Sequence, residues 1–411
     1  MVEYRKYVLD NGLTVLTHET WDTPLATVNV LYGVGSRDED PAHTGYAHLL
    51  EHLMFGGTKS VPDFDGVVSA AGGESNAFTG CDYTNYYVTL PADGLETALA
   101  LEADRMSHLE LTEKGLEVQR HVVREEYEQR YMNRPYGDAW LLLRSLCYKV
   151  HPYRWAPIGA DISHVTEARR EDVEAFYRRW YCPQNAILAV AAPMRHEEMV
   201  EGVRGVQGVQ GVQGVRGVLP QEPEQREARE LRVRRRVPAP MVYVAWPMCG
   251  HDDPRFRVCD LMSDLLGNGT SSRLYRRLVV ERGLLTEADA AISGDAAPGL
   301  MVLSGKVAPG HTAEEAVEAL RGEARRLADD GVTDYELLKV QNKYENTFCM
   351  SQYKAQDRAL VLCHYTWLGD TELVNREPEE YRHVTADDIQ RTAQELFVPW
   401  RENVLYYETE R

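Results

Sequence analysis

The residues whose types and spacing best suit chemistry form the segment His48-Leu49-Leu50-Glu51-His52. Helical periodicity begins near Thr44, so His48 and His52 are expected one turn apart on the same face of a helix. Two imidazoles at that spacing can share one tetrahedral zinc ion. Glu51 lies about 60° to the side of His48, within reach of a water molecule beside the metal. The order H-x-x-E-H reverses the better-known H-E-x-x-H arrangement. On its own, the segment suits equally well a helix whose histidines merely pair with acids.

A third ligand is expected from a second helix. The periodicity predicts a helix over 113–130, which offers four glutamates: Glu117, Glu125, Glu126 and Glu128. Val122 and Val123 mark its expected buried face, and on a helical wheel Glu126 points almost midway between these valines. An acid on an apolar face is costly unless it is paired or bound to a metal. Glu126 is therefore the predicted third ligand.

Two histidines and one glutamate would leave the fourth zinc position open, which is typical of catalytic sites and not of structural ones. Zinc lowers the pKa of water to about 7 and polarises a peptide carbonyl. Glu51 is predicted to take the proton of the attacking water and deliver it to the leaving amine. Gln119, seven residues before Glu126, is predicted to hydrogen-bond a ligand or the water. The alternative for Gln119 is a partly buried glutamine satisfied by the backbone.

Length and charge limit the classes of function. The chain has 411 residues and a formal net charge of −19 at pH 7. The length predicts two domains of about 200 residues each, and the negative charge argues against nucleic acid or an anionic membrane as a partner. No window approaches the roughly 18 apolar residues of a membrane helix, and the N-terminus lacks signal-peptide features, so the expected location is the cytoplasm. Seven scattered cysteines without a C-x-x-C pair favour reduced thiols.

The two halves of the sequence are similar to each other at an offset of about 220 residues. LTEKGLEVQRHV at 111–122 matches VTDYELLKVQNK at 332–343, and segment 165–190 matches segment 384–407. We therefore predict an α+β fold with two duplicated domains, each a mixed sheet with helices packed on one face. The second half has no histidine–glutamate cluster at the position of HLLEH. Only the first half is expected to bind a metal.

Residues 202–218 are a low-complexity repeat that reads GVRGVQGVQGVQGVRGV. Repeated glycine disfavours a regular helix or strand. The predicted organisation is a zinc-bearing peptidase domain over 1–200, a Gly-Val repeat linker over 201–225 and a homologous non-catalytic domain over 226–411.

A family resemblance rests on segments in both halves. The first half contributes HLLEHLMFGGT at 48–58, GGESNAFTGCDYTNYY at 72–87, VQRHVVREEY at 118–127, HPYRWAPIG at 151–159 and FYRRWYCPQNAILAV at 176–190. The second half contributes GNGTSSRLYRRLVVERGLL at 267–285. The sequence resembles the pitrilysin/insulinase family of zinc metallopeptidases, and within it the small two-domain subunit branch that includes the mitochondrial processing peptidase.

The resemblance implies half of a clamshell that admits short or unfolded peptides. It also implies that the strand containing Asn76, Ala77 and Phe78 binds the substrate backbone by adding a peptide strand. An ordinary interior strand is the alternative.

Two departures from the family pattern concern activity. Many relatives carry a glutamate where Gln119 stands, so an auxiliary acid is absent here. Active relatives also bind the substrate carbonyl with an arginine and a tyrosine seven residues apart, where this chain has Val279 and Thr286. Three nearby arginines could substitute: Arg276, Arg277 and Arg282. The resemblance implies the zinc subunit of a dimer, including a heterodimer whose partner supplies the pair. A non-catalytic assembly or peptide-binding subunit is the alternative.

Overall fold

The computed structural model of the chain describes residues 1–205, 219–294 and 296–410. The strands are β1 Arg5–Val8, β2 Thr14–Glu19, β3 Leu25–Tyr32, β4 Glu74–Thr79, β5 Thr84–Pro91, β6 Ala186–Ala192, β7 Arg229–Arg235, β8 Met241–Pro247, β9 Leu285–Ile292, β10 Leu300–Val307 and β11 Asn403–Thr409. The α-helices are α1 Tyr46–Leu53, α2 Phe64–Ala70, α3 Leu95–His108, α4 Glu113–Tyr127, α5 Ala139–Cys147, α6 Ser163–Thr166, α7 Arg170–Trp180, α8 His196–Gly205, α9 Arg255–Leu266, α10 Ala313–Asp330, α11 Asp334–Met350, α12 Ala355–Leu368, α13 Leu373–Arg382 and α14 Ala386–Leu396.

The chain divides into two units. Unit 1 comprises Met1–Tyr127, Trp155–Leu219 and Cys349–Arg376. Unit 2 comprises Glu128–Arg154, Pro220–Phe348 and Glu377–Arg411.

The sheet of unit 1 has the strand order β1-β2-β6-β3-β5-β4. Strands β2 and β6 are parallel, and the other neighbours are antiparallel. The central strands β3 and β6 are almost entirely buried, as expected for apolar runs covered on both faces. In contrast, β4 alternates between exposed and half-buried residues and, among the described strands, pairs with β5 alone. Strand β4 is therefore an edge strand with one unpaired side, next to the element that carries HLLEH.

The sheet of unit 2 has the order β7-β11-β8-β10-β9. Strands β7 and β11 are parallel, and the remaining pairs are antiparallel. Helices α9, α10 and α14 bury apolar faces in a continuous core with strands β8 and β10. The predicted fold class, α+β with two duplicated sheet-bearing domains, is confirmed.

The two units do not coincide with the predicted domains, which were 1–200 and 226–411. Helix α12, from the second half of the sequence, packs against β3 and β6 in unit 1. Helix α5, from the first half, packs against β8 and β11 in unit 2. Each sheet is thus covered in part by a helix from the other half, which the similarity of the halves does not reveal.

The predicted linker 201–225 lies partly outside the described residues. Its first five residues complete helix α8. Beyond the undescribed repeat 206–218, the Glu222 carboxylate accepts hydrogen bonds from the backbone N–H groups of 149–151 in unit 2. The buried Gln225 side chain also bonds to the amide nitrogen of Asn403. The end of the predicted linker is therefore an ordered part of unit 2.

None of the helices in the described part of the chain combines the length and apolar composition that crossing a bilayer requires.

Candidate metal centre

Helix α1 begins at a glycine turn held by a buried carboxylate. Gly45 has a φ of 89°, and a Cβ at this position would lie 2.6 Å from Cγ2 of Val165. The Glu39 carboxylate accepts the N–H groups of Gly45 and Ala47 at 2.9 and 2.8 Å, which satisfies donors that a helix start leaves unpaired. Burial raises the pKa of Glu39 to about 8, although both N–H groups act in the opposite direction. The turn and this carboxylate fix where α1 starts.

The apolar positions of α1 fix its rotation about its own axis. Leu49, Leu50 and Leu53 are buried in unit 1. The side chains of His48 and His52 keep 13% and 24% of their surface exposed. Their ring centroids lie 4.9 Å apart, as the four-residue spacing predicts. Both imidazoles therefore share one partly accessible face of the helix.

Helix α4 packs against α1 and brings Glu126 to the two histidines. Oε2 of Glu126 lies 3.5 Å from Nε2 of His48 and 3.4 Å from Nε2 of His52. Two ligands each about 2.1 Å from a tetrahedral zinc ion lie about 3.4 Å apart. The ligand atoms of these three residues all lie within 4.8 Å of one another. The donor set and the spacing both fit zinc.

The predicted buried face of α4 is confirmed at Val123 and wrong at Val122. Val123 is fully buried as predicted, but Val122 is 42% exposed, and Val118 one turn earlier is 50% exposed. Glu126 therefore lies at the border of the buried face of α4 and not within it. A metal ligand needs such a position, because it must reach the ion while water and substrate retain access.

Glu51 projects from α1 towards the end of β4. The Thr79 hydroxyl donates a hydrogen bond to Oε2 of Glu51. Two buried tyrosines, Tyr86 and Tyr181, lie near this carboxylate and share a hydrogen bond of 3.2 Å. Burial raises the pKa of Tyr86, with a smaller contribution from the Glu51 charge. Both phenols therefore stay protonated and add no charge behind Glu51.

The structure places Gln119 two turns before Glu126 on α4, half-buried. Its predicted contact to a ligand or to the water stays a prediction.

The predicted substrate-binding residues lie on the edge strand β4. Asn76, Ala77 and Phe78 pair with β5 on one side only. The side-chain oxygen of Asn76 accepts the N–H of Ala77 at 2.8 Å. The alternative of an ordinary interior strand is wrong in topology, because β4 is the last strand of its sheet. Whether a peptide binds there stays a prediction.

The positions of the absent arginine–tyrosine pair lie in unit 2. Val279 packs against the apolar core of that unit, and Thr286 is exposed at the start of β9. Arg277 forms an ion pair at 2.7 Å with the buried Glu323. Arg276 and Arg282 are exposed. Arg277 is therefore already engaged within its own unit.

Sequence reasoning missed two residues that position the site, Glu39 and Thr79. The signal for Glu39 was its place shortly before a glycine that starts a helix. Thr79 offered a weaker signal, as the last residue of an alternating strand.

Comparisons with known proteins connect this geometry to a family. A family model described as insulinase (peptidase family M16) matches residues 14–137, and one described as peptidase M16 inactive domain matches residues 167–344. The zinc protease PqqE of Helicobacter pylori is 29% identical over 407 residues, which cover 96% of this chain and 90% of that protein. The uncharacterized zinc protease SCO5738 of Streptomyces coelicolor is 27% identical, covering 95% of this chain and 87% of that protein.

Solved structures show the same architecture. The crystal structure of a protease from Helicobacter pylori matches with a TM-score of 0.92 at 26% identity and covers all of both chains. Pitrilysin matches with a TM-score of 0.79 at 17% identity, covering 99% of this chain and 45% of that one, and shows the fold alone. The two family models and the zinc protease relatives show that the chain belongs to the pitrilysin/insulinase family.

Proposed function

We propose that the chain is a zinc-dependent endopeptidase that hydrolyses short or unfolded peptides. The observation that carries this proposal is the approach of Glu126 to within 3.5 Å of both His48 and His52. The relatives named zinc proteases support zinc as the metal. His48, His52 and Glu126 would hold the ion, and zinc when bound supplies a Lewis acid that polarises the peptide carbonyl.

Glu51 performs the proton transfers in this proposal. As the water oxygen bonds to the carbonyl carbon of the peptide, the Glu51 carboxylate takes one proton from the water. As the carbon–nitrogen bond breaks, Glu51 gives this proton to the leaving amine, so the carboxylate is regenerated. The position of Glu51, one residue before His52 and bonded to Thr79, supports this role.

The free side of β4 is the proposed binding surface for the substrate. A peptide that pairs with the backbone of Asn76, Ala77 and Phe78 would extend the sheet of unit 1 by one strand. Main-chain hydrogen bonds give affinity without demanding a particular sequence. They also require the peptide to be extended, which favours short or unfolded substrates over folded proteins.

We propose further that the chain acts as the zinc subunit of a dimer. A valine at 279 and a threonine at 286 supply no cationic or phenolic group for the substrate carbonyl. In a heterodimer, a different chain with an arginine–tyrosine pair would supply the missing groups. A second copy of this chain would not, because it carries the same Val279 and Thr286. The cytoplasmic location expected from the sequence stays a prediction.

The second candidate is a non-catalytic assembly or peptide-binding subunit. It is favoured by Val279 and Thr286 and by the model of an inactive domain that matches residues 167–344. The His48–His52–Glu126 geometry opposes it, because a subunit without metal chemistry has no need to keep three ligands together.

The test is to purify the chain from its native host with any bound partner and to measure zinc content and cleavage of unstructured fluorogenic peptides. We expect about one zinc per chain, cleavage that a chelator abolishes and zinc restores, and lower turnover by the chain alone. Full activity of the isolated monomer would overturn the dimer proposal. One zinc per chain with no cleavage in the complex would leave the peptide-binding subunit as the function.

A further inference from the structure

The hydrogen bond between Thr79 and Glu51 joins two elements that have different tasks in the proposed function. Thr79 is the last residue of β4, whose preceding residues form the proposed substrate surface. Glu51 lies on α1, which carries the two histidines. The Thr79 hydroxyl donates to Oε2 of Glu51 across a sequence separation of 28 residues.

We propose that Thr79 is a positioning residue, which holds the Glu51 carboxylate at a fixed place relative to the strand that binds the peptide. This inference rests on the proposed function. Thr79 would act through Glu51, to which its hydroxyl donates a hydrogen bond. Because proton transfer depends on sub-ångström placement of the base, a fixed carboxylate raises turnover without adding a contact to the substrate.

The local fold makes Thr79 a firm anchor. Thr79 and Thr84 form the closing pair of the β4–β5 hairpin, and the N–H of Gly80 bonds to the carbonyl of Tyr83 at 2.9 Å. The turn is held in addition by the N–H groups of Ser36 and Arg37, which bond to the carbonyls of Gly80 and Cys81. The end of β4 is therefore secured on two sides, although β4 is an edge strand.

The alternation of β4 explains why Thr79 and not its neighbour has this role. Successive side chains of a strand point to opposite faces. Thr79 shares a face with Ala77, which is half-buried, and α1 packs on β4. Phe78 points to the other face, where its ring contacts Tyr83 at a centroid distance of 5.9 Å. The strand that would bind the peptide is therefore also the strand that holds the Glu51 carboxylate in place.

The experiment compares Thr79→Val, which removes the hydroxyl at nearly constant volume, with Thr79→Ser, which keeps it. In the zinc-loaded protein with its partner, we expect Thr79→Val to lower kcat about 10-fold with KM and zinc content unchanged. Thr79→Ser should restore most of kcat. The matched control is Thr89→Val, which removes a hydroxyl in the same hairpin that bonds to Thr27 at 2.9 Å and should leave kcat unchanged.

A double-mutant cycle tests whether Thr79 acts through Glu51. In a Glu51→Gln background, single-turnover rates should show no further loss on Thr79→Val, because the group being positioned is gone. A full 10-fold additional loss would overturn the proposal, as would wild-type kcat in Thr79→Val.

Crystal structures of the zinc-loaded wild type and Thr79→Val give a readout that is independent of activity. We expect one Glu51 conformer bonded to Thr79 in the wild type and several conformers in the variant. An unchanged single conformer in Thr79→Val would overturn the positioning role. If the wild type cleaves no peptide, the proposed function fails, while this structural comparison still decides the role of Thr79.

Discussion

Five strands of the sheet in unit 1 repeat the topology of the sheet in unit 2, and the two units differ in the polar residues of helices α1 and α9. The order β2-β6-β3-β5-β4 in unit 1 repeats as β7-β11-β8-β10-β9 in unit 2, with the one parallel pair at the same place. Helix α1 follows β3 in unit 1, and α9 follows β8 in unit 2. Each helix contacts the edge strand of its own sheet, β4 or β9.

In unit 2, two acids on and near α9 accept hydrogen bonds from tyrosine hydroxyls. Asp260 accepts the hydroxyl of Tyr381 at 2.8 Å, and Glu377 accepts the hydroxyl of Tyr344 at 3.0 Å. Burial raises the pKa of Asp260 to about 6. Helix α9 itself buries eight of its residues. This arrangement stabilises the fold of unit 2. Among the described residues, the cluster that could hold a metal ion lies on α1 and α4 and not on α9.

In unit 1, His48 and His52 of α1 lie close to Glu126 of α4, and all three side chains are partly exposed. Two imidazole nitrogens and one carboxylate oxygen meet at a separation that suits ligands of one ion and is long for hydrogen bonds between them. The same arrangement of strands therefore carries a structural helix in unit 2 and the proposed metal-binding helix in unit 1. The difference depends on a few side chains and on how much of the helix stays exposed.

The strongest test of this difference between α1 and α9 is to replace one acid in each helix by its amide. Glu51→Gln should retain zinc and lower kcat/KM by at least about 100-fold, because the amide cannot accept the proton. The matched change Asp260→Asn should alter kcat/KM by about twofold or less, because it lies in the structural helix. Peptide hydrolysis by the zinc-loaded protein with its partner measures both. Normal turnover of Glu51→Gln would remove Glu51 from its role.

The next largest effect is expected at the third ligand. Glu126→Gln should weaken zinc binding by at least about 100-fold. Removing a residue that hydrogen-bonds to a metal ligand typically weakens metal binding about 10- to 100-fold, and removing a ligand itself should cost more. Glu125→Gln is the matched control, because Glu125 is exposed on the same helix and should leave zinc affinity unchanged. Titration against a competing chelator measures both. Equal zinc affinity of the two variants would exclude Glu126 as a ligand.

Local patterns in the sequence predicted much of the site. The four-residue spacing of His48 and His52 predicted α1, and the period of α4 selected Glu126 from four glutamates. These signals are local, because both depend on residues within two turns of one helix. The predicted helix 113–130 also continues past Tyr127 as a π-helical segment, Glu128–Met132, which periodicity does not distinguish.

Contacts between distant segments could not be predicted. The bond between Thr79 and Glu51 depends on the packing of β4 against α1, which the alternation of β4 does not specify. The packing of α12 on the sheet of unit 1 is likewise a contact between segments far apart in the sequence. Val122 was expected to be buried because valine is apolar, whereas a helix beside an accessible site keeps some apolar residues exposed.

Zinc removal should lower the stability of unit 1 and leave the stability of unit 2 nearly unchanged. A ligand that binds only the folded state stabilises it by about 4 kcal/mol at a thousandfold excess over its Kd. Hydrogen exchange should therefore show a zinc-dependent gain of up to that size in α1 and α4, with little change in α9 and α10. The Glu126→Gln protein, as a control, should show no gain. Equal gains in α1 and α9 would contradict a metal site confined to unit 1.

The smallest expected effect is the pH dependence that Asp260 gives to unit 2. Its pKa is raised from 3.8 to about 6 by burial, so between these values the folded state holds a proton that the unfolded state has lost. Stability should therefore fall as pH rises from about 4 to 6 and level off above that, by about 2 to 3 kcal/mol. Asp260→Asn keeps an oxygen for the Tyr381 hydroxyl and should remove this dependence.

Denaturant unfolding of the wild type and Asp260→Asn, at intervals from pH 4 to pH 7, measures this difference. The variant should be the more stable protein at pH 7, and the gap should narrow as the pH falls, because protonation makes the native aspartate neutral as well. Parallel curves for the two proteins would show that Asp260 is ionised in the folded state throughout. The contrast between a buried acid with a raised pKa in unit 2 and the proposed metal-binding acid in unit 1 would then have to be abandoned.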